Sequence, residues 1–321
     1  MRVLSGIKPS GRPHIGNYLG AIRQHIELQD KDHECLYFVA DYHALTTLRD
    51  PALMKEYRKG VVLDYLALGL DPSKVTFFYQ SDVPEHSELQ WILSTVSPMG
   101  LLERAHAWKD AKTKGGRDMN VGLFTYPILM AADILIYNAD IVPVGRDQRQ
   151  HVEIARDIAE KFNNFYGDTF KLPEPQIEKE VATVIGTDGQ KMSKSYNNTI
   201  SIFEDEETIK KQVMGIKTAS IDLADPMPIK DDTILYLYEQ FSSSAELEEL
   251  KDKYTAGGFG YGNAKKALLE RLMEYFADAR SHRARFAKSN DLEDIMRDGA
   301  KKAHKLAMET MAKVYERTGL L

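Results

Sequence analysis

Val3-Leu4-Ser5-Gly6-Ile7-Lys8-Pro9-Ser10-Gly11-Arg12-Pro13-His14-Ile15-Gly16-Asn17 is the stretch on which the architecture turns. A short apolar run gives way to six residues that carry two prolines and a glycine, and helical spacing follows to about Gln29. Strand, tight turn and helix start are the opening of a βαβ unit. The next segments repeat the alternation. Cys35–Ala40 is an unbroken apolar run of the fully buried kind, Pro51–Leu68 has helical spacing, and Val75–Tyr79 is a third run. Asp140–Val144 reads as another strand and feeds a helix over Gln148–Phe162. Strands separated by helices of this length predict an α/β fold with a parallel sheet. Its chemistry is expected at the carboxyl ends of the strands, in the turns at 8–14, 41–45 and 145–147.

Strand signals stop near residue 198. Ala264, Ala267, Leu268, Leu272, Tyr275, Phe276 and Ala279 recur at helical spacing behind Asn263, which reads as an N-cap. Ala300, Ala303, Ala307, Met311 and Val314 form a last helix that ends near Gly319. Two domains are expected, 1–198 with the sheet and 199–321 as a helical bundle.

Composition narrows the function classes. The chain has 321 residues, 43% hydrophobic and 28% charged, with a formal net charge of −6, which excludes disordered, collagen-like and disulfide-scaffold proteins. The single cysteine, Cys35, excludes internal disulfides and cysteine-cluster metal sites. Nine histidines show neither HxH nor HxxxH spacing, so no protein-bound metal is expected. Neither half is a basic tail, so any nucleic-acid contact must come from a local patch. The most apolar stretch, Val121–Gly145, contains Pro127, Asp133 and Asp140 and reads as core, not as a membrane span. With no secretory leader at the start, a soluble cytoplasmic protein is expected.

The first turn is built for phosphate. A helix N-terminus offers unpaired N–H groups and a positive dipole end. Gly16 removes a side chain where a ligand or backbone must come close, and His14 and Asn17 can donate to a phosphoryl group as its charge develops. Downstream, Lys191-Met192-Ser193-Lys194-Ser195 places two lysines and two serines around one methionine, between Gly189 and Asn197. Such a polar loop suits a leaving pyrophosphate. The two segments, HIGN at 14–17 and KMSKS at 191–195, together resemble the two signatures of class I aminoacyl-tRNA synthetases. HIGNYLGA at 14–21, Asp41-Tyr42-His43-Ala44-Leu45-Thr46, Tyr126-Pro127 with Met130-Ala131-Ala132-Asp133-Ile134, and Pro143-Val144-Gly145-Arg146-Asp147-Gln148 with His151 resemble the tryptophanyl branch of that family. The resemblance covers nearly the whole chain.

It implies a Rossmann-type catalytic domain and a helical anticodon-binding domain. It also implies ATP with Mg2+ carried by the nucleotide, L-tryptophan, tRNA(Trp) and a homodimer. Catalysis would fall to His14, Asn17, Lys191 and Lys194. ATP would meet Lys8, Pro9, Ser10, Gly16, Asn17, the Gly145-Arg146-Asp147 turn, Val184 and the loop from Lys191 through Met192, Ser193 and Lys194 to Ser195. Tryptophan would meet Ser5, His43, Tyr126, Met130, Asp133 and Gln148. Lys8 is a departure, since the family commonly has Gln there. A cation at this point would strengthen ATP binding or contact the substrate carboxylate.

The residues give Asp133 two readings of their own. Tyr126, Met130, Asp133 and Tyr137 share one helical face, and a buried carboxylate needs a partner. That partner is either a bound indole N–H, in which case phenylalanine would leave Asp133 without its donor, or a neighbouring helix end or arginine. The resemblance favours the indole. A tyrosine-specific relative shares the fold, but a thioether at Met130 would serve a phenol poorly. His43 is read as packing at the rim of the site or as a cap. His151 is read as structural, and Lys109, Lys112, Lys114 and Arg117 as solvated surface or an ATP flap. Arg283, Arg285 and Lys288 are the nearest approach to a basic cluster for tRNA. A second class of function, a sensor that binds tryptophan or uncharged tRNA without acylating it, has no use for both phosphate-binding segments.

Overall fold

The computed structural model describes residues 1–113, 119–144, 149–177 and 184–321. Five parallel strands form one sheet in the order β3-β2-β1-β4-β5. They are β1 (Arg2–Ile7), β2 (Glu34–Val39), β3 (Val75–Tyr79), β4 (Ile141–Val144) and β5 (Glu174–Ile177). The register runs Ser5 against Tyr37, Tyr37 against Phe77, and Val3 against Ile141. From β1 the chain winds to β2 and β3 on one side and later to β4 and β5 on the other. The switch of direction therefore lies between β1 and β4, where a crevice opens at the strand ends.

The first helix is broken into α1 (Ile15–Asn17), a π turn over Tyr18–Ile22 and α2 (Arg23–Leu28). Then come α3 (Asp41–Ala44), α4 (Pro51–Ala67), α5 (Glu85–Ser94), α6 (Met99–Glu103), α7 (His106–Thr113), α8 (Val121–Ile136) and α9 (Arg149–Tyr166). Alternate strand residues feed two cores. Val3, Tyr37, Val39 and Phe77 pack towards α4, Met192 and the helical region. Leu4, Leu36, Phe38 and Phe78 pack towards α5, α8 and α9. Both faces are thus covered, which is why the strands read as continuous apolar runs.

The helical region holds α10 (Glu206–Met214), α11 (Thr233–Glu239), α12 (Ser244–Thr255), α13 (Gly260–Tyr275), α14 (Ala277–Phe286) and α15 (Asp291–Thr318). Asn263 lies inside α13, not at its cap, and its amide donates back to Phe259 O at 2.7 Å. α15 leaves the bundle and returns to the sheet. Ala300, Ala303, Ala307, Met311 and Val314 join the core with Leu4 and Phe78, and a Cβ at Gly299 would stand 1.8 Å from Phe77 O. Only glycine lets the helix lie so close. The helix ends at Gly319 in the left-handed conformation, φ 75°. No helix among the described residues is long and apolar enough to cross a membrane.

Candidate active site

The turn after β1 ends at His14, whose extended backbone (φ −113°, ψ 170°) makes it the N-cap of α1. Asn17 closes the cap by accepting from His14 N–H through Oδ1 at 3.2 Å, which leaves its amide Nδ2 to donate outward. His14 is 7% exposed. Burial first, and the charge of Lys194 second, lower its pKa to about 4. It therefore works as a neutral imidazole near pH 7, a hydrogen-bonding group and not a cation.

The KMSKS segment begins inside a hairpin in which Gly186 N–H donates to Gln190 O (2.7 Å) and Met192 N–H to Val184 O (2.8 Å). Val184 is buried, and its carbonyl anchors the loop. Met192 drives into the core until its sulfur would lie 3.2 Å from a Cβ at Gly16. Ser193 accepts from Ser195 N–H at 3.3 Å. Lys194 Nζ reaches across to Ser10 O at 2.8 Å, passing 3.3 Å from where a Cβ on Gly11 would sit. Gly11 has φ +87°, so both its backbone and its neighbour require glycine. Pro9 is buried in the same turn, and Lys191 is exposed. The structure thus brings Ser10, His14, Gly16, Met192 and Lys194 together at the carboxyl end of β1. Lys8 stands at the rim, its ammonium 3.2 Å from Thr47 Oγ1 and its pKa lowered by desolvation.

Asn198 was not singled out by the sequence, yet it organises the loop. It is 1% exposed, accepts from Ser193 N–H at 2.7 Å, and donates to Asp188 Oδ1 (2.7 Å) and Lys191 O (3.0 Å). The only signal was its place directly after a loop that needs a clamp.

A second polar centre lies beside the strand ends. α8, capped by Asn120 at Leu123 N–H (2.9 Å), carries Tyr126, Met130 and Asp133 on one face, with Tyr137 at its C-cap. Asp133 is 2% exposed. Its carboxylate accepts from Gln80 Nε2 (2.7 Å) and His86 Nδ1 (2.6 Å) on Oδ1, and pairs with His43 Nε2 (2.7 Å) on Oδ2. Burial alone would raise its pKa, but His43 and then His86 reverse this and bring it to about 2. Asp133 is therefore an ionised acceptor at neutral pH. His86 Nε2 continues to Tyr137 Oη at 2.8 Å.

These contacts correct three expectations. The partners of Asp133 are two histidines and an amide, neither a helix end nor an arginine. His43 does more than pack, since it bonds Asp133 while its ring stands edge-on to Tyr126 at 6.2 Å. Phenylalanine would not strip Asp133 of its donors, because the protein supplies three. His151 joins the wall of the site through a hydrogen bond to Tyr126 Oη. Ser5 is buried in β1 beside Tyr37. Gly145, Arg146, Asp147 and Gln148, with Lys114 and Arg117, lie outside the described residues. Arg283 is not a free basic group. It holds Asp64 of α4 at 2.6 Å and stacks on Phe203, tying α14 to the sheet domain.

A family profile described as class I tRNA synthetases (W and Y) matches residues 1–277. The tryptophan–tRNA ligase of Fusobacterium nucleatum is 53% identical over 322 residues, spanning all of this chain and 98% of its own. That of Rhodopirellula baltica is 53% identical over the full length of both. Among solved structures, tryptophanyl-tRNA synthetase from Campylobacter jejuni in complex with ADP and tryptophan superposes with a TM-score of 0.96 at 49% identity, covering 99% of this chain and 100% of that one. Tyrosyl-tRNA synthetase from Archaeoglobus fulgidus, at 23% identity and a TM-score of 0.63, shares the fold.

Proposed function

The chain belongs to the class I tRNA synthetases (W and Y) and has the activity of a tryptophan–tRNA ligase, and from that premise we propose how its residues divide the work. ATP lies over the turn after β1 with its α-phosphate near His14 and Gly16. The tryptophan carboxylate attacks the α-phosphorus in line, an oxygen–phosphorus bond forms, and the bond to pyrophosphate breaks. Catalysis is positioning and charge stabilisation by neutral His14, the free amide of Asn17, Lys191 and Lys194. Asp133 accepts the indole N–H, with Tyr126 and Met130 against the ring and His43 and Ser5 at the pocket's edge. Gly145, Arg146 and Asp147 meet the ribose, and Gln148 faces the amino acid. Pro9, Ser10, Val184, Met192, Ser193 and Ser195 shape the nucleotide site, and Lys8 takes an anionic oxygen of the phosphate or the carboxylate.

The observation that carries this reading is the reach of Lys194 from the second motif to the first turn, 2.8 Å from Ser10 O. It sets two distant segments side by side at the carboxyl end of β1. Magnesium arrives on the ATP phosphates. The terminal ribose hydroxyl of tRNA(Trp) then takes the acyl group, an ester bond forms, and AMP leaves. The division at residue 198, the reading of the anticodon by the helical region, a homodimer and a cytoplasmic location belong to the same proposal, with α15 assigned to the catalytic half by its packing. ATP–pyrophosphate exchange against all twenty amino acids, followed by aminoacylation of tRNA(Trp), tests it. Exchange with tryptophan alone is expected. Exchange with tyrosine would overturn the pocket assignment, and folded protein without exchange would favour the sensor.

A further inference from the structure

The polar end of the pocket is a count of donors and acceptors. A carboxylate has four lone-pair sites and no donor. Asp133 uses two on Oδ1, for Gln80 and His86, and one on Oδ2, for His43. One site on Oδ2 remains. Gln80 is fully buried, its Nε2 is fixed on Asp133, and its Oε1 has no partner among the described residues. His86 is fully buried between Asp133 and Tyr137, so neither ring nitrogen can turn elsewhere. Three protein donors therefore hold the carboxylate, while acceptor capacity is left over on Oδ2.

We infer that Gln80 and His86 are specificity-determining positioning residues. By fixing Asp133 Oδ1, they leave an oriented acceptor on Oδ2 for one N–H. An indole fits, because its nitrogen donates and does not accept. A ring with no donor would leave that acceptor unpaired, the kind of mismatch that discriminates strongly. The partners come from the turn after β3 and from α5. They fix Asp133 Oδ1 through two hydrogen bonds, so the carboxylate needs no rearrangement when the ring arrives.

The inference rests on the reading of Asp133 as the indole acceptor, and the test separates the two. ATP–pyrophosphate exchange is measured with tryptophan and with β-(3-benzothienyl)alanine, in which sulfur replaces the N–H, for wild type, Gln80→Leu, His86→Leu and His86→Asn. Wild type is expected to prefer tryptophan strongly. In Gln80→Leu and His86→Leu that preference should fall about ten-fold or more, through a raised tryptophan KM, with the ATP KM within about three-fold of wild type. His86→Asn keeps a donor where Nδ1 stood and should recover most of the preference. Gln80→Leu carries the test if His86→Leu does not fold. If the variants lose both substrates equally, the two residues are only structural and the inference falls. If wild type exchanges with both substrates equally well, the indole reading of Asp133 falls first.

Discussion

Gly16→Ala is the sharpest single-atom test of how the two motifs meet. A Cβ at Gly16 would lie 2.9 Å from both Cε1 and Nδ1 of His14 and 3.2 Å from Met192 Sδ. Ordinary carbon contacts are about 3.5–4.0 Å, so the imidazole must retreat by roughly 0.7 Å and the methionine by a few tenths. Neither can move freely, since His14 is 7% and Met192 5% exposed. Crowding of this size costs about 1–3 kcal/mol, offset by up to about 1 kcal/mol because alanine is the better helix residue. Unfolding entropy of roughly 2 cal/mol/K per residue over 321 residues turns a net of up to about 3 kcal/mol into a melting-point drop of at most about 5 °C. The effect on rate is larger, because a misplacement of about 1 Å in a positioned group can cost about 100-fold. The expected result is a 10- to 100-fold fall in the kcat of tryptophan-dependent ATP–pyrophosphate exchange from protein that is fully folded by circular dichroism. Gly60→Ala is the control, since nothing lies within 4 Å of its Cβ in α4, and it should gain about 0.5–1 kcal/mol with activity unchanged. Exchange within two-fold of wild type, or a loss that merely tracks unfolding, would refute the placement of His14 against the second motif.

Lys191→Ala should lower the adenylation rate by far more than tryptophan affinity, measured by single-turnover adenylate formation beside equilibrium binding. Equal losses would remove the transition-state role. Arg283→Ala leaves Asp64 buried without its cation and should cost about 3 kcal/mol in urea unfolding. Pairing it with Asp64→Leu should recover most of that loss. His14 and His25 are both held near a pKa of about 4 by burial, with Lys194 adding to the effect at His14. The unfolded chain, with histidines near 6.5, takes up protons that the native state refuses. The stability from these groups is therefore complete above about pH 6.5 and lost as pH falls towards 4, read as a falling urea midpoint. For the same reason His14 should add no inflection to the exchange rate between pH 5.5 and 8.

What the sequence made legible follows from how local each cause is. β1, β2 and β3 lie within a residue of their expected bounds, because strands covered on both faces must be apolar throughout. β5 went unread. It is a four-residue edge strand containing Pro175 and paired only with β4, so neither alternation nor an apolar run marks it. Asn263 misled because an asparagine that bonds the carbonyl four residues back looks in sequence like one that caps. The face bearing Tyr126, Met130 and Asp133 was visible as helical spacing. Its partners were not, since Gln80, His86 and His43 come from 53, 47 and 90 residues away. Arg283 looked like a surface charge for the same reason, its partner Asp64 being 219 residues distant.

The two motifs are joined through backbone as well as side-chain contacts. Ile15 N–H already donates to Ile200 O at 2.9 Å, His14 bridges to Ser201, and Met192 is packed beneath Gly16. The protein's own backbone contacts therefore set the frame of the site. Of the two loop lysines, Lys191 is exposed, while Lys194 is parked on a neutral acceptor, Ser10 O. For Lys194 to reach a phosphate it must exchange that carbonyl for an anion, and the exchange becomes more favourable as negative charge accumulates on the oxygen it meets. An interaction that strengthens as charge develops lowers the barrier, whereas one equally good in the ground state lowers only KM. On the proposed mechanism, the contribution of Lys194 therefore falls on the rate of adenylate formation and not on the affinity for ATP.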